Sequence, residues 1–205
     1  MELSLLKYPF PHAIVSDFYS ENELSLIWKE LDFLTSPDKF IKSGKELQTA
    51  LNPLDNSTYI ANSYGITLDN IYPSRNISNI LTIAQKIYEP SLIEKFASLD
   101  PLMGHIKYIN RDCTKIKYYE DGTYYLPHFD VSRFTSVTYL FKEPKKFSGG
   151  NLNFPDFDYT IEIKNNMMVL FVGSIMHEST LLSMEDKSHM SGNGKYCITK
   201  FMDLV

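Results

Sequence analysis

A chain of 205 residues with 43% hydrophobic residues and 14% aromatics has enough material for one sizeable core. Twenty Lys and Arg against 25 Asp and Glu leave a net charge of −5, so nothing electrostatic points to nucleic acid or an anionic membrane as partner. No apolar run reaches bilayer length, and two cysteines, Cys113 and Cys197, are too few for a disulfide framework.

Met1–Lys7 lacks the basic start and long apolar stretch of a signal peptide, and the expectation is a reduced, cytoplasmic protein. Pro9-Phe10-Pro11 leads into a short strand, His12 to Ser16. Ser20 followed by Glu23 makes a capping box, and Leu24, Ile27, Trp28, Leu31 and Leu34 then recur at helical spacing. Residues 36–76 are punctuated by Pro37, Gly44, Pro53, Gly65 and Pro73, with one strand-like run from Thr58 to Ala61. A long segment of this kind inside a compact chain reads as a lid or binding loop. A helical pair follows, Ile77 to Tyr88 and Ser91 to Leu99, interrupted at Pro90.

From Met103 the period changes to two. Strands are expected at Gly104–Tyr108, Thr114–Tyr119, Tyr125–Phe129, Thr135–Phe141, Asn151–Phe154, Asp158–Ile163, Met167–Phe171, Ser179–Met184 and Lys195–Phe201. Turn residues such as Asp121-Gly122, Gly149-Gly150 and Asn165-Asn166 separate them, as in an all-β sandwich or barrel.

Within this region His128-Phe129-Asp130 precedes His177 by forty-nine residues (177 − 128 = 49). Two imidazoles and a carboxylate are the ligand set of a non-haem Fe(II) site with open positions. On a strand, residues i and i+2 share a side, so His128 and Asp130 are expected to face the interior, with Phe129 turned into the wall. Spacing alone leaves open a surface His-x-Asp and an unrelated core histidine.

The run Tyr119-Glu-Asp-Gly122-Thr-Tyr-Tyr125-Leu-Pro127-His128-Phe-Asp130 resembles the prolyl 4-hydroxylase branch of the Fe(II)/2-oxoglutarate dioxygenases. Three further pieces are similar in order: Gly149-Gly150-Asn151-Leu152-Asn153-Phe154, then Met168-Val-Leu-Phe171 before His177, then Gly194-Lys195-Tyr196-Cys197-Ile198-Thr199. The resemblance covers most of residues 1–205, thins over 36–76, and implies a mainly β fold: a double-stranded β-helix (jelly-roll) core over 103–201 with packing helices from the N-terminal half. It implies iron at His128, Asp130 and His177, and 2-oxoglutarate on Lys195, with Tyr119, Tyr139 and Thr199 as further contacts. O2 is the other cosubstrate it implies, and ascorbate a further candidate.

Tyr125, Arg133 and Phe201 match positions that line the substrate groove of some relatives, and residues 36–76 become the expected substrate lid. The implied substrate is a prolyl residue of a peptide or protein. A free amino acid or small metabolite, and a non-catalytic jelly roll that keeps its metal, remain alternatives. A nucleic-acid demethylase is disfavoured by the acidic balance and by Phe201 on the closing strand.

Two departures from the family pattern stand out. Cys197 replaces a small hydroxyl residue, and the interval from His177 to Lys195 is long (195 − 177 = 18). Residues 183–194 are therefore expected to form an extended loop near the barrel mouth, and Lys200 becomes the fallback cation on the opposite face. His12, His105 and His189 lie outside the motif; structural roles are expected for the first two and exposure for the third.

Overall fold

The computed structural model describes residues 1–35 and 39–205; Ser36, Pro37 and Asp38, at the start of the expected lid, lie outside the described residues. The fold is mainly β. Strands β1 (Glu2–Leu6) and β2 (His12–Ser16) form an antiparallel pair ahead of helix α1 (Glu21–Leu34). The capping box forms as its residues dictate: Ser20 Oγ accepts from the Glu23 amide while Glu23 Oε2 accepts from the Ser20 amide.

Beyond α1, the described residues 39–71 hold short pieces of regular structure: β3 (Ile41–Lys42), β4 (Ala61–Asn62), β5 (Tyr64–Thr67) and a helical turn, α2 (Leu68–Ile71). The strand expected at Thr58–Ala61 forms only at its end. Asp55 instead accepts from the Ser57 and Thr58 amides and bends the chain ahead of it. Helices α3 (Asn79–Ile83) and α4 (Pro90–Leu99) follow, Pro90 opening α4 where its missing amide hydrogen costs nothing.

The strand expected at Gly104–Tyr108 is a 3-10 turn, Met103–Tyr108. Asp100 Oδ1 accepts from the Leu102 amide, and Met103 and Ile106, three apart, both turn inward; a 3-10 turn stacks that spacing on one side.

The ten remaining described strands lie in two facing sheets and one small pair. They are β6 (Arg111–Tyr119), β7 (Tyr124–His128), β8 (Phe134–Leu140), β9 (Phe147–Gly149), β10 (Leu152–Phe154), β11 (Tyr159–Ile161), β12 (Met167–Val172), β13 (His177–Ser179), β14 (Leu182–Met184) and β15 (Lys195–Asp203). The large sheet runs β1-β2-β12-β8-β15-β6-β5-β3, the second runs β11-β10-β13-β7-β4, and β14 pairs with β9. The single strand expected over Ser179–Met184 is thus broken at Thr180-Leu181, where the chain passes from one sheet to another.

The large sheet is buried on both faces, so its central strands β8 and β12 are buried almost throughout rather than alternating between buried and exposed. Met168, Leu170, Tyr196 and Ile198 pack under Ile27 and Leu31 of α1 and Phe96 of α4. Val169, Phe171, Tyr139 and Cys197 point the other way, toward Leu152 and Phe154 of the second sheet. This is the jelly-roll arrangement: one layer of helices, two sheets, and a space between the sheets in which a site can sit.

Candidate metal centre

Pairing of β13 with β7 sets His177 directly across from His128. Asp130 lies beyond the end of β7, and a turn rather than a strand aims it. Its amide donates to Gly173 O at 2.8 Å and its Oδ2 accepts from the Thr135 hydroxyl. Gly173 itself must be glycine, since a Cβ there would sit 2.0 Å from Ser132 O. That close approach locks the Asp130 turn onto the loop leading to His177. Phe129 is not in the wall; it is 61% exposed at the rim, because the chain has already left the sheet.

The ligand atoms of His128, Asp130 and His177 lie within 4.8 Å of one another. His177 Nε2 is 3.5 Å from Asp130 Oδ2, and His128 Nε2 is 3.8 Å from Oδ1. Each histidine has Nδ1 2.8 Å from a backbone carbonyl two residues back, Leu126 O for His128 and Ile175 O for His177. A carbonyl only accepts, so Nδ1 carries the proton and the Nε2 lone pairs converge on Asp130. This is the tautomer and orientation a metal requires of its histidines. Burial, then the neighbouring His177, pushes the His128 pKa down to about 3, so the ring is neutral at physiological pH. Tyr125 stacks on His128 at 3.7 Å between centroids, and Phe171 meets His177 edge-on at 4.8 Å. The donor set, tautomers and apolar backing fit a divalent metal with open positions.

The pocket runs inward from the triad along the inner faces of three strands in register. Lys195, Cys197, Thr199 and Phe201 of β15 lie beside Tyr119, Lys117, Lys115 and Cys113 of β6, and Cys197, Thr199 and Phe201 also lie beside Tyr139, Val137 and Thr135 of β8. At its inner end Lys195 is fully buried. Its Nζ donates to Gly150 O and Ser179 Oγ, both at 2.7 Å, and sits 4.0 Å over the Tyr119 ring. Gly149 and Gly150, both at positive φ, make the turn that delivers this carbonyl. Among the described residues no carboxylate pairs with Lys195. Burial lowers its pKa to about 8. A buried ammonium with no counter-ion among the described residues, at the end of a pocket, has the charge and the desolvation to favour an incoming carboxylate.

Of the residues expected to contact 2-oxoglutarate, Tyr119, Tyr139 and Thr199 line this pocket, and so do Tyr125 and Phe201, expected in the substrate groove. Arg133 does not: it is exposed and its guanidinium meets His105 Nδ1 at 2.9 Å. His12 is buried, hydrogen-bonded to Phe10 O, and His189 meets Glu120 at the surface. Lys200 faces the opposite side from Lys195, paired with Asp112 at 2.8 Å beneath the helices. Residues 185–194 are not at the mouth. They pack on Tyr118 and Glu120, at the Lys195 end of β15, six residues and roughly 20 Å of strand from Phe201.

Sequence reasoning did not single out Ser179, Lys115 or Lys117. All three were accessible by alternation, from His177 for the first and Tyr119 for the others. Outside the triad an open groove continues between Phe129, Val131 and Phe201 on one side and Gln48, Leu51 and Ile60 on the other.

Residues 114–203 match the sequence model of the 2OG-Fe(II) oxygenase superfamily. No curated protein matches the chain in sequence. Among solved structures the chain is similar to the viral collagen prolyl hydroxylase of Paramecium bursaria Chlorella virus-1 in its 2OG complex. The identity is 15%, the TM-score 0.57, and 95% of this chain and 96% of that one are covered. A Pseudomonas putida prolyl-4-hydroxylase gives 13% identity and a TM-score of 0.56 over 95% and 92%. The non-heme alpha ketoglutarate dependent epimerase SnoN from nogalamycin biosynthesis gives 9% and 0.55 over 93% and 76%. At these identities the likeness is one of fold.

Proposed function

We propose that this chain, a 2OG-Fe(II) oxygenase by the match of residues 114–203 and by its jelly-roll fold, hydroxylates a prolyl residue of a peptide or protein. The superfamily implies Fe(II), 2-oxoglutarate and O2. In the balanced reaction, 2-oxoglutarate, O2 and a C–H bond give succinate, CO2 and C–OH. The observation that carries the reading is one pocket with two ends: converging Nε2 and carboxylate donors at His128, His177 and Asp130, and the uncompensated Lys195 ammonium beyond them.

Iron held by the triad would supply the oxygen activation and the chelation of the ketoacid. The side chains do the rest. Lys195 takes the distal carboxylate, already aimed by Gly150 O and Ser179. Tyr119 and Tyr139 flank the ammonium with their rings and make the cosubstrate wall apolar. Burial holds both phenols neutral, so they remain hydrogen-bond donors. Tyr125 and Phe171 fix the two imidazoles and keep water from their faces. Thr135 holds Asp130 in one orientation.

For the substrate side, the open groove beyond the triad supports a peptide: it is long, apolar at Phe129, Val131, Leu51 and Phe201, and partly walled by the 48–60 segment. That segment acts as the substrate cover in this reading, and ascorbate as a reductant that keeps iron in its ferrous state. The direct test is anaerobic titration of 2-oxoglutarate into the Fe(II)-loaded protein, following the visible charge-transfer band. A saturable band lost in His177→Ala supports the site. Iron bound without a band refutes it. Mass spectrometry of proline-containing peptides after aerobic turnover then tests the prolyl assignment through gain of one oxygen.

A further inference from the structure

Besides Lys195, the pocket contains a second ammonium group for which the cosubstrate has no use. Lys117 projects from β6 beside Cys197, and its Nζ lies 3.6 Å from the centroid of the Tyr125 ring. Tyr125 in turn stacks on His128, so Lys117 is separated from an iron-ligand candidate by no more than the one ring both touch. Among the described residues its Nζ makes no hydrogen bond or ion pair. The ring contact offers attraction but leaves all three N–H donors unmatched.

Two residues along the strand, Lys115 has no carboxylate partner among the described residues either. It donates to Leu47 O at 3.1 Å, lies 5.5 Å from the Phe201 ring centroid, and lines the outer groove. The inner face of β6 thus carries a short row of positive charge from the groove to the triad.

Charge accounting shows what is missing. Fe(II) and Lys195 together carry three positive charges; 2-oxoglutarate as a dianion and Asp130 carry three negative ones. The Lys117 charge is left over. Glu178, the other carboxylate at the pocket among the described residues, is turned to Asn153 at 2.7 Å. Burial first, and Lys115 second, lower the Lys117 pKa to about 7, the behaviour of an ammonium that lacks its anion.

We propose that Lys117, with Lys115 behind it, binds a carboxylate of the primary substrate and so places the oxidised C–H within a few bonds of that carboxylate. The inference rests on the 2-oxoglutarate reading of the triad and Lys195. It narrows the substrate to an acid: a residue whose own C-terminal carboxylate is free, or a prolyl residue next to an acidic side chain.

The test is anaerobic calorimetry on the Fe(II)- and 2-oxoglutarate-loaded protein. The probes are N-acetyl amino acids, proline included, each against its amide, and peptides with Asp or Asn beside proline. At least one acid is expected to bind tenfold or more tighter than its neutral partner, about 1.4 kcal/mol. The preference should vanish in Lys117→Met and return in part in Lys117→Arg. Which pair shows it separates the C-terminal carboxylate from the acidic side chain. If no acid outcompetes its neutral partner, or if the preference survives Lys117→Met, the proposal is overturned. Loss of the 2-oxoglutarate charge-transfer band in Lys117→Met also overturns it, assigning the ammonium to the cosubstrate. Absence of that band in the wild type removes the dioxygenase reading and this inference with it; a band without acid preference removes this inference alone.

Discussion

Replacing Lys195 by Met should make the apo protein more stable and the cosubstrate site useless, an opposition of signs that a structural lysine would not produce. Lys195 is fully buried without a carboxylate partner among the described residues, and burial takes its pKa from 10.5 to about 8. At pH 7 the folded state therefore carries a penalty of about 3 kcal/mol relative to the unfolded chain, which holds the proton freely. Met fills much of the same volume without the charge. It also leaves Gly150 O and Ser179 Oγ without their donor, at a cost of about 1–2 kcal/mol. The net expectation is a gain of about 1–2 kcal/mol, read by urea denaturation of the metal-free proteins.

The pH dependence has a defined sign. A lysine whose folded pKa is depressed costs its full penalty below the folded value. Wild-type stability should therefore rise relative to Lys195→Met between about pH 8 and 10.5, where the unfolded chain holds the extra proton. Meanwhile 2-oxoglutarate affinity should fall by roughly 30-fold or more, the cost of removing one partner of a buried charge pair. A variant that is less stable than wild type yet binds 2-oxoglutarate normally would refute the reasoning.

Three more outcomes follow from other parts of the molecule. Asp130→Ala and His177→Ala should each abolish Fe(II) binding in anaerobic calorimetry, since either leaves two donors where three converge. Asp112→Ala should destabilise by about 3–5 kcal/mol in denaturant melts, because it strands the buried Lys200 charge; Arg75, partly exposed, keeps Asp69. Burial alone would raise the Asp112 pKa, but Lys200 and the Tyr88 hydroxyl outweigh it and hold the carboxyl below its ordinary range. Its stabilisation is therefore complete above the unfolded carboxylate pKa and lost as pH falls through the lower folded value; a pH series comparing wild type with Asp112→Asn should show this. Ser20→Ala, which removes one arm of the capping box, should cost about 1 kcal/mol and lower Tm by about 2–4 °C.

Much of this was legible in the residues because it depends on local periodicity. His177 and Ser179, or Lys195, Cys197 and Thr199, fall on one side of a strand wherever that strand lies. The capping box of α1 is equally local, needing only Ser20 and Glu23 three apart. Met103–Tyr108 failed the same logic, because a six-residue segment with Met103 and Ile106 three apart satisfies a 3-10 turn as well as a strand, and Asp100 decided between them.

The sequence by itself determined which side chains share a face and therefore which chemistry was available: two imidazoles, a carboxylate and a closing-strand lysine. Tertiary structure decided where those faces meet. It brought β13 across from β7 so that two histidines forty-nine residues apart (177 − 128 = 49) converge, and it sent residues 185–194 to the inner end rather than the mouth. It left Arg133 outside, and it made Lys117 significant by stacking Tyr125 between it and His128. Periodicity is a property of neighbours along the chain, whereas the charge left unpaired in a pocket depends on which distant strands close it, and only packing fixes that.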